Sequence, residues 1–235
     1  VNAKAIVAPA EVFEEGPDGS TTFPVTFGYD GNYIAGTHGL NDANLYLLNV
    51  PDDPNNSFQF FGPGTFAFQI NMAPDQAFAR WSTFNEYTSG NDDIDLYLYY
   101  CPGGSCSQID SSGNVDSNEE VSVTLPVAFD AAVFNPYLLF IHGYETDGPD
   151  ADVILWEWFV GLDNNVGNMT VTAPSSASVG ASDTIQVDWT GLNQGPGWKQ
   201  LGAVSHSNDD GLQDLTLINI TNDTGFGFCE LVGCP

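Results

Sequence analysis

From Asp93 to Tyr100 the residues Ile94, Leu96, Leu98 and Tyr100 alternate with Asp95, Tyr97 and Tyr99. A two-residue period sends one set to a buried face and the other to the opposite face, the mark of a half-buried β-strand. The same grammar recurs along the chain. Phe78 to Phe84 is strand-like, and the turn formers Thr88 to Asp93 separate it from the next strand. Val121, Val123 and Leu125 alternate with Ser122 and Thr124, Tyr137 to Tyr144 is a near-continuous apolar run, and Ile154, Trp156, Trp158 and Val160 share a face. No segment carries a 3.6-residue period. Strands spaced roughly ten to fifteen residues apart predict an all-β antiparallel sandwich, jelly-roll-like in form.

Asp163-Asn164-Asn165 reads as a boundary. Upstream, Thr22 to Tyr29 is strand-like, with Pro24 predicting an edge or a bulge. Downstream, Met169–Pro174, Thr184–Trp189, Leu201–Val204 and Leu215–Ile220 are strand-like, and Ile185, Val187 and Trp189 share a face. The expected organisation is a first sandwich over residues 1–164 and a small immunoglobulin- or fibronectin-III-like sandwich over 165–235. At about sixty residues before its Gly-rich tail, the second falls short of the ~100 of an immunoglobulin domain. It would bury little alone, and is expected to dock on the first.

Charge narrows the function. Thirty-one acidic residues face three basic ones, Lys4, Arg80 and Lys199, for a net charge of −28 over 235 residues. Nucleic acid as a partner is excluded on this balance, because phosphate contacts need Lys and Arg. Anionic lipid is disfavoured for the same reason. The acidic exterior reads either as a solvated coat that resists aggregation or as adaptation to salty water, where screening relieves self-repulsion. No stretch is long and apolar enough for a membrane span. The chain opens on Val1 without a leader-like segment, so an excised piece of a longer secreted protein is expected.

The four cysteines form two C-x4-C pairs, Cys101 with Cys106 and Cys229 with Cys234. Three connectivities are open. Proximity favours the two local pairs and hence an oxidising, extracellular location. Zinc is the competing reading, but it usually wants tighter spacing and often histidine. Arg80, a cation set in a strand among aromatics, is expected to be structural, pairing with a carboxylate such as Asp95 or stacking on Tyr or Trp. Asp92, Asp93 and Asp95, beside Asn91, offer closely spaced oxygens that would suit Ca²⁺, as would Asp147, Asp150 and Asp152. Neither loop has EF-hand spacing, and the alternative is a solvated turn. No other cofactor is indicated. Trp81, Tyr97 and Tyr99, with Tyr100, Trp156 and Trp158, are candidates for a stacking platform for sugars or an extended peptide, against the plainer reading of core packing.

Three stretches carry a resemblance. They are PDGSTTFPVTFGYDG followed by THGL; Arg80-Trp81-Ser82 with DDIDLYLYY, SNEEVSVTLP and YLLFIHGYETDGPDADVILWEWFVG; and GNMTVTAPSSASVGASDTIQVDWTGL followed by LGAVSHS. In this order they resemble the C-terminal, non-catalytic region of secreted bacterial subtilisin-like serine proteases. The middle stretch is similar to the bacterial pre-peptidase C-terminal domain, a β-sandwich appended to secreted peptidases. The resemblance implies an accessory module whose partners are its own upstream protease domain and a protein or polysaccharide substrate. The parent would be a subtilisin-like endopeptidase, and this chain would not itself be an enzyme.

The family's His and Ser motifs are absent. Gly36-Thr37-His38-Gly39 is a partial echo of the first, without its leading His. The G-x-S-x-G elbow is absent too. His38 is expected in a surface or turn role, His142 as a satisfied core residue, and His206 as solvated in a polar loop. No nucleophile is expected beside a base. The remaining readings are a carbohydrate- or matrix-binding module using an aromatic face, and a structural spacer or adhesin segment.

Overall fold

A computed structural model describes residues 6–193 and 198–222. Five strands open the chain: β1 (Ile6–Val7), β2 (Glu11–Glu15), β3 (Gly19–Phe27), β4 (Gly31–Asn32) and β5 (Ile34–Asp42). Eight follow: β6 (Asn44–Pro51), β7 (Thr65–Ile70), β8 (Gln76–Thr83), β9 (Asp93–Tyr100), β10 (Ser107–Ser112), β11 (Glu119–Thr124), β12 (Tyr137–Glu145) and β13 (Asp150–Gly161). The last are β14 (Met169–Thr172), β15 (Ser176–Ala177), β16 (Ser182–Trp189), β17 (Trp198–Asn208) and β18 (Gly211–Asn222). Among the described residues, helix is confined to single 3₁₀ turns at Asn85–Tyr87 and Pro102–Gly104. The all-β expectation holds.

Residues Ala43–Phe159 form one unit. Its sheets run β10-β9-β12-β7 and β11-β8-β13-β6. Apart from the β9–β10 hairpin, successive strands alternate between the sheets, and this order is that of a jelly roll. The alternation seen in the sequence sets its core. Ile94, Leu96 and Leu98 pack with Tyr137, Leu139 and Ile141 on one sheet, and with Ala79, Trp81, Val121, Val153 and Leu155 of the other.

The described residues up to Asp42 and from Val160 onward form the other unit. It too has two four-stranded sheets, β1-β3-β16-β14 and β2-β18-β17-β5, with β4 and β15 paired beside them. All its pairings are antiparallel except β2 with β18. The division therefore does not fall at 164/165. The N-terminal strands, expected with the first sandwich, pair instead with the C-terminal ones: Phe23 lies opposite Ile185 in β16, and Val12 opposite Ile218 in β18. The physical reason is cover. β14, β16, β17 and β18 alone give two strands per sheet, too few to enclose Ile185, Val187, Val204 and Ile218. β1, β3, β2 and β5 complete both layers and add Ile6, Phe23, Val25 and Phe27 to the core. Pro24 fits: β1 pairs only with Thr26 and Phe27, so β3 has an open side where the proline lacks its N–H. The jelly roll is thus an insertion between β5 and β14 of an outer sandwich.

Candidate functional site

Parity on β9 and β12 builds the outward face of one jelly-roll sheet. Asp95, Tyr97 and Tyr99 point away from the core, opposite His142, Phe140 and Leu138. The β6–β7 connection lies over this face. Its ends are closed by backbone bonds, Asp53 N–H to Gly143 O at 2.9 Å and Gly143 N–H to Gly64 O at 2.9 Å. Gly64 sits at φ +69°, and a Cβ there would come within 2.5 Å of the Asp53 Cβ, so the closure needs glycine. The result is a compact surface loop of the Ω type.

Three aromatic side chains bind the loop to the sheet. Phe58 stacks on Tyr97 with ring centroids 3.8 Å apart and meets His142 edge-on at 5.6 Å. Phe60 packs on Tyr99 and Phe140 at 5.0 and 4.9 Å, and Phe61 on Phe140 at 4.9 Å. Phe60 and Phe61 remain 43% and 62% exposed. Phe61 holds φ +55°, in the left-handed region that bulky residues avoid, and such strain concentrates at sites of function.

Beneath the loop an imidazole lies between two carboxylates. His142 is 0% exposed, with Nε2 3.1 Å from Asp53 Oδ2 and Nδ1 3.3 Å from Asp95 Oδ2. Asp53 also accepts the N–H of Asn55 at 3.0 Å and of Ser57 at 3.1 Å, which folds the loop around its own carboxylate. Asp95 accepts the Tyr97 hydroxyl at 3.0 Å. Burial pushes the His142 pKa down, but the bonds to Asp95 and Asp53 and their charges outweigh it, and the net shift is upward. The Asn55 N–H leads in holding Asp53 below the usual carboxylate range, with His142 and Ser57 adding to it against burial. Only the imidazolium has an N–H for each carboxylate; the neutral ring has one. The charged ring therefore latches the aromatic loop to the sheet.

Next to the latch, the loops around Asn85–Asp93, Val115–Ser117 and Glu145–Asp147 enclose a polar cavity of about 450 Å³. Burial, then the charges of Asp95, Glu145 and Asp116, push Asp93 up to about 6. Burial also raises Asp92, against the Asp147 N–H that donates to its Oδ1 at 2.8 Å. The three aspartates proposed for Ca²⁺ do not converge. Asp92 is turned to Asp147, Asp95 is engaged with His142 and Tyr97, and among the described residues no group of three His, Cys, Asp or Glu stands where it could hold a metal ion.

The other sequence candidates disperse. Trp81 does not share the face of Tyr97 and Tyr99. It is 0% exposed in β8 of the opposite sheet, facing the core. Arg80 is buried and pairs with a carboxylate as expected, but with Glu120 at 3.0 Å, and Phe78 lies under its guanidinium at 5.3 Å. Asp95 belongs to the other sheet, which rules out the cross-sheet pairing. Cys101 and Cys106 are disulfide-bonded across the 3₁₀ turn of the β9–β10 hairpin. Cys229 and Cys234 lie outside the described residues.

The histidines of the outer sandwich also depart from expectation. His206 is not solvated: it is 0% exposed on β17, where Tyr33 Oη lies 2.6 Å from Nδ1 and Thr216 Oγ1 2.9 Å from Nε2. Thr216 in turn donates to Pro9 O at 2.8 Å. Thr216 spends its proton on Pro9 O, so Nε2–H donates to Thr216, and in the neutral ring Tyr33 donates to Nδ1. Burial pushes its pKa down to about 4. His38 is also buried, on β5, with Nε2 2.8 Å from Ser205 Oγ. A hydroxyl thus does meet an imidazole, against expectation, because β5 and β17 are sheet neighbours. The pair lies within the sheet, each residue 8% exposed. Burial acts on the His38 ring against backbone hydrogen bonds at Leu162 and Gly161 and the charge of Asp163, whereas a triad would orient the ring by a hydrogen-bonded carboxylate.

No protein-family model matches the chain, and no curated protein matches it.

What sequence reasoning missed is the loop. Ser57-Phe58-Gln59-Phe60-Phe61 stands between Pro51–Asn56 and Gly62-Pro63-Gly64. Three aromatics bracketed by turn formers, too short for a strand of their own, were the available signal.

Proposed function

We propose that this chain is a non-catalytic accessory module of a secreted subtilisin-like protease, and that the loop-covered aromatic face of the jelly roll holds protein substrate near the parent's active site. Tethering of this kind raises effective concentration without a new catalytic group. The observation that carries the reading is the pair Phe60 and Phe61, exposed on a loop fixed from beneath by Asp53 and His142. Exposed rings on a rigid support are suited to binding. The insertion of the jelly roll into a second sandwich supports a division between a carrier and a binding head.

Pull-down on insoluble collagen, casein and chitin tests it. Capture on the proteins, lost in Phe60→Ser/Phe61→Ser, is the expected result. Capture on chitin alone would favour the carbohydrate-binding reading, and capture on none would leave the spacer reading. A fluorophosphonate probe should leave Ser205 unlabelled; labelling would overturn the non-catalytic assignment.

A further inference from the structure

Parity on β13 turns Ala151, Val153, Leu155, Glu157 and Phe159 toward the interior of the jelly roll; the first three are core residues and Phe159 packs against them. Glu157 is therefore a carboxylate on an inward face, and it is 8% exposed. Its Oε1 accepts the Trp81 indole N–H at 2.9 Å, and its Oε2 accepts the Tyr46 hydroxyl at 2.8 Å and the Asn44 amide at 3.2 Å. All three donors are neutral. They orient the charge without cancelling it, and a buried carboxylate is costly unless something offsets it.

The carboxylate borders a cavity of about 270 Å³ at the edge of the sandwich where β6 and β7 face each other. Tyr46, Phe68, Trp81 and Phe159 line it. The Tyr46 and Phe68 rings are 5.6 Å apart, and Trp81 meets Phe159 edge-on at 5.9 Å. Gln69 and Asn71 are also on its lining, and a small, mainly apolar pocket with a few placed polar groups is the usual form of a small-ligand site.

The chemistry selects the ligand. Aromatic faces and a carboxylate both repel anions and attract cations. Hard metal ions want about six to eight oxygens, and the two here are already occupied by donors. A weakly hydrated organic ammonium needs only the rings and one negative charge. The net charge of −28 concentrates such cations around the molecule.

We infer that the cavity beside Glu157 binds a weakly hydrated organic ammonium group, either a free quaternary alkylammonium or the side chain of a methyl-lysine in a peptide. The site is separate from the face carrying Phe60 and Phe61, and the inference does not rest on the accessory-module reading.

The intact chain is titrated with choline, with its neutral carbon isostere 3,3-dimethyl-1-butanol, and with N-acetyl-trimethyl-lysine amide, at constant ionic strength. Trp81 Nε1–H is followed by NMR. Saturable binding of at least one ammonium is expected, tighter than the isostere by about tenfold or more. Choline against the lysine derivative then tells the free amine from the peptide source. Glu157→Gln should weaken binding by about tenfold, while Asp130→Asn, which removes equal charge elsewhere, should not. Equal affinity for the isostere, no saturable shift at Trp81, or unchanged affinity in Glu157→Gln would overturn the proposal. Should Glu157→Gln fail to fold, Phe68→Ala and the isostere comparison on the unsubstituted chain decide it by the same criteria.

Discussion

Each sandwich buries one imidazole completely, and the two are handled in opposite ways. In the outer sandwich His206 sits between the hydroxyls of Tyr33 and Thr216 and is neutral. In the jelly roll His142 sits between the carboxylates of Asp53 and Asp95 and is held toward its charged form. The contrast extends beyond the two rings. Among the described residues the outer sandwich buries no Asp or Glu. The jelly roll buries Asp53, Asp92, Asp95, Glu119 and Glu157. Neutral pairs satisfy hydrogen bonds at little desolvation cost, whereas buried charge is expensive and tends to be kept where it does something besides fold the chain. The difference is what the proposed binding role of the inserted unit would lead one to expect.

The largest test of the contrast is His142→Leu. It strips the cation from two shielded carboxylates. The cost expected is about 3 kcal/mol, at the low end for a buried pair. Urea unfolding followed at β9 and β12 amides measures it. Loss of less than about 1 kcal/mol would place His142 among ordinary hydrogen-bonded groups.

Acid should separate the two units next. The pKa of His206 falls from 6.5 to about 4 on folding. Its contribution is present above pH 6.5 and is lost as the pH falls toward 4, on the order of 3 kcal/mol. His38 is shifted down as well and acts in the same direction. In the jelly roll His142 is raised, so its contribution is present below pH 6.5 and is lost as the pH climbs through the raised value. Asp93, raised to about 6, likewise favours folding toward acid. Asp53 is lowered and costs stability only below its ordinary 3.8. Between pH 6.5 and about 4, β17 and β18 should therefore lose protection while β9 and β12 keep theirs. Hydrogen exchange corrected for intrinsic rates would show it, and parallel loss in both units would erase the contrast.

His206→Leu should cost less, about 1–2 kcal/mol, from the orphaned Tyr33 hydroxyl. A larger loss than for His142→Leu would invert the comparison. Smallest is the Cys101–Cys106 bond. It closes a loop with a sequence separation of 5, so reduction should remove under about 2 kcal/mol. The effect should be confined to the β9–β10 hairpin; melting of the whole jelly roll on reduction would contradict this.

Much of the fold was legible because parity survives in the sequence. Ile94, Leu96 and Leu98 announced their strand and its buried face. Partnership was not legible. Phe23, Val25 and Phe27 show an apolar face but nothing that names β16, some 160 residues away, as neighbour. The same limit applied to the site. Tyr97 and Tyr99 were correctly phased with each other, yet Trp81 could be grouped with them only by ignoring that adjacent strands enter different sheets. Asp53 looked like one more turn aspartate, and His142 like one more core residue; only the β6–β7 crossover brings them together. Glu157 was hidden differently. Between Trp156 and Trp158 its parity is plain, but β13 is buried on both faces, so the sequence does not say which face looks inward.

The most direct test is a ¹⁵N NMR titration of the imidazole rings from pH 4.5 to 8.5. His206 is expected as a single neutral tautomer with its proton on Nε2 until the pH nears 4.5, and His142 as an imidazolium whose deprotonation midpoint lies above 6.5. Two rings titrating together near 6.5 would contradict the division between a neutrally paired outer sandwich and a charge-paired jelly roll.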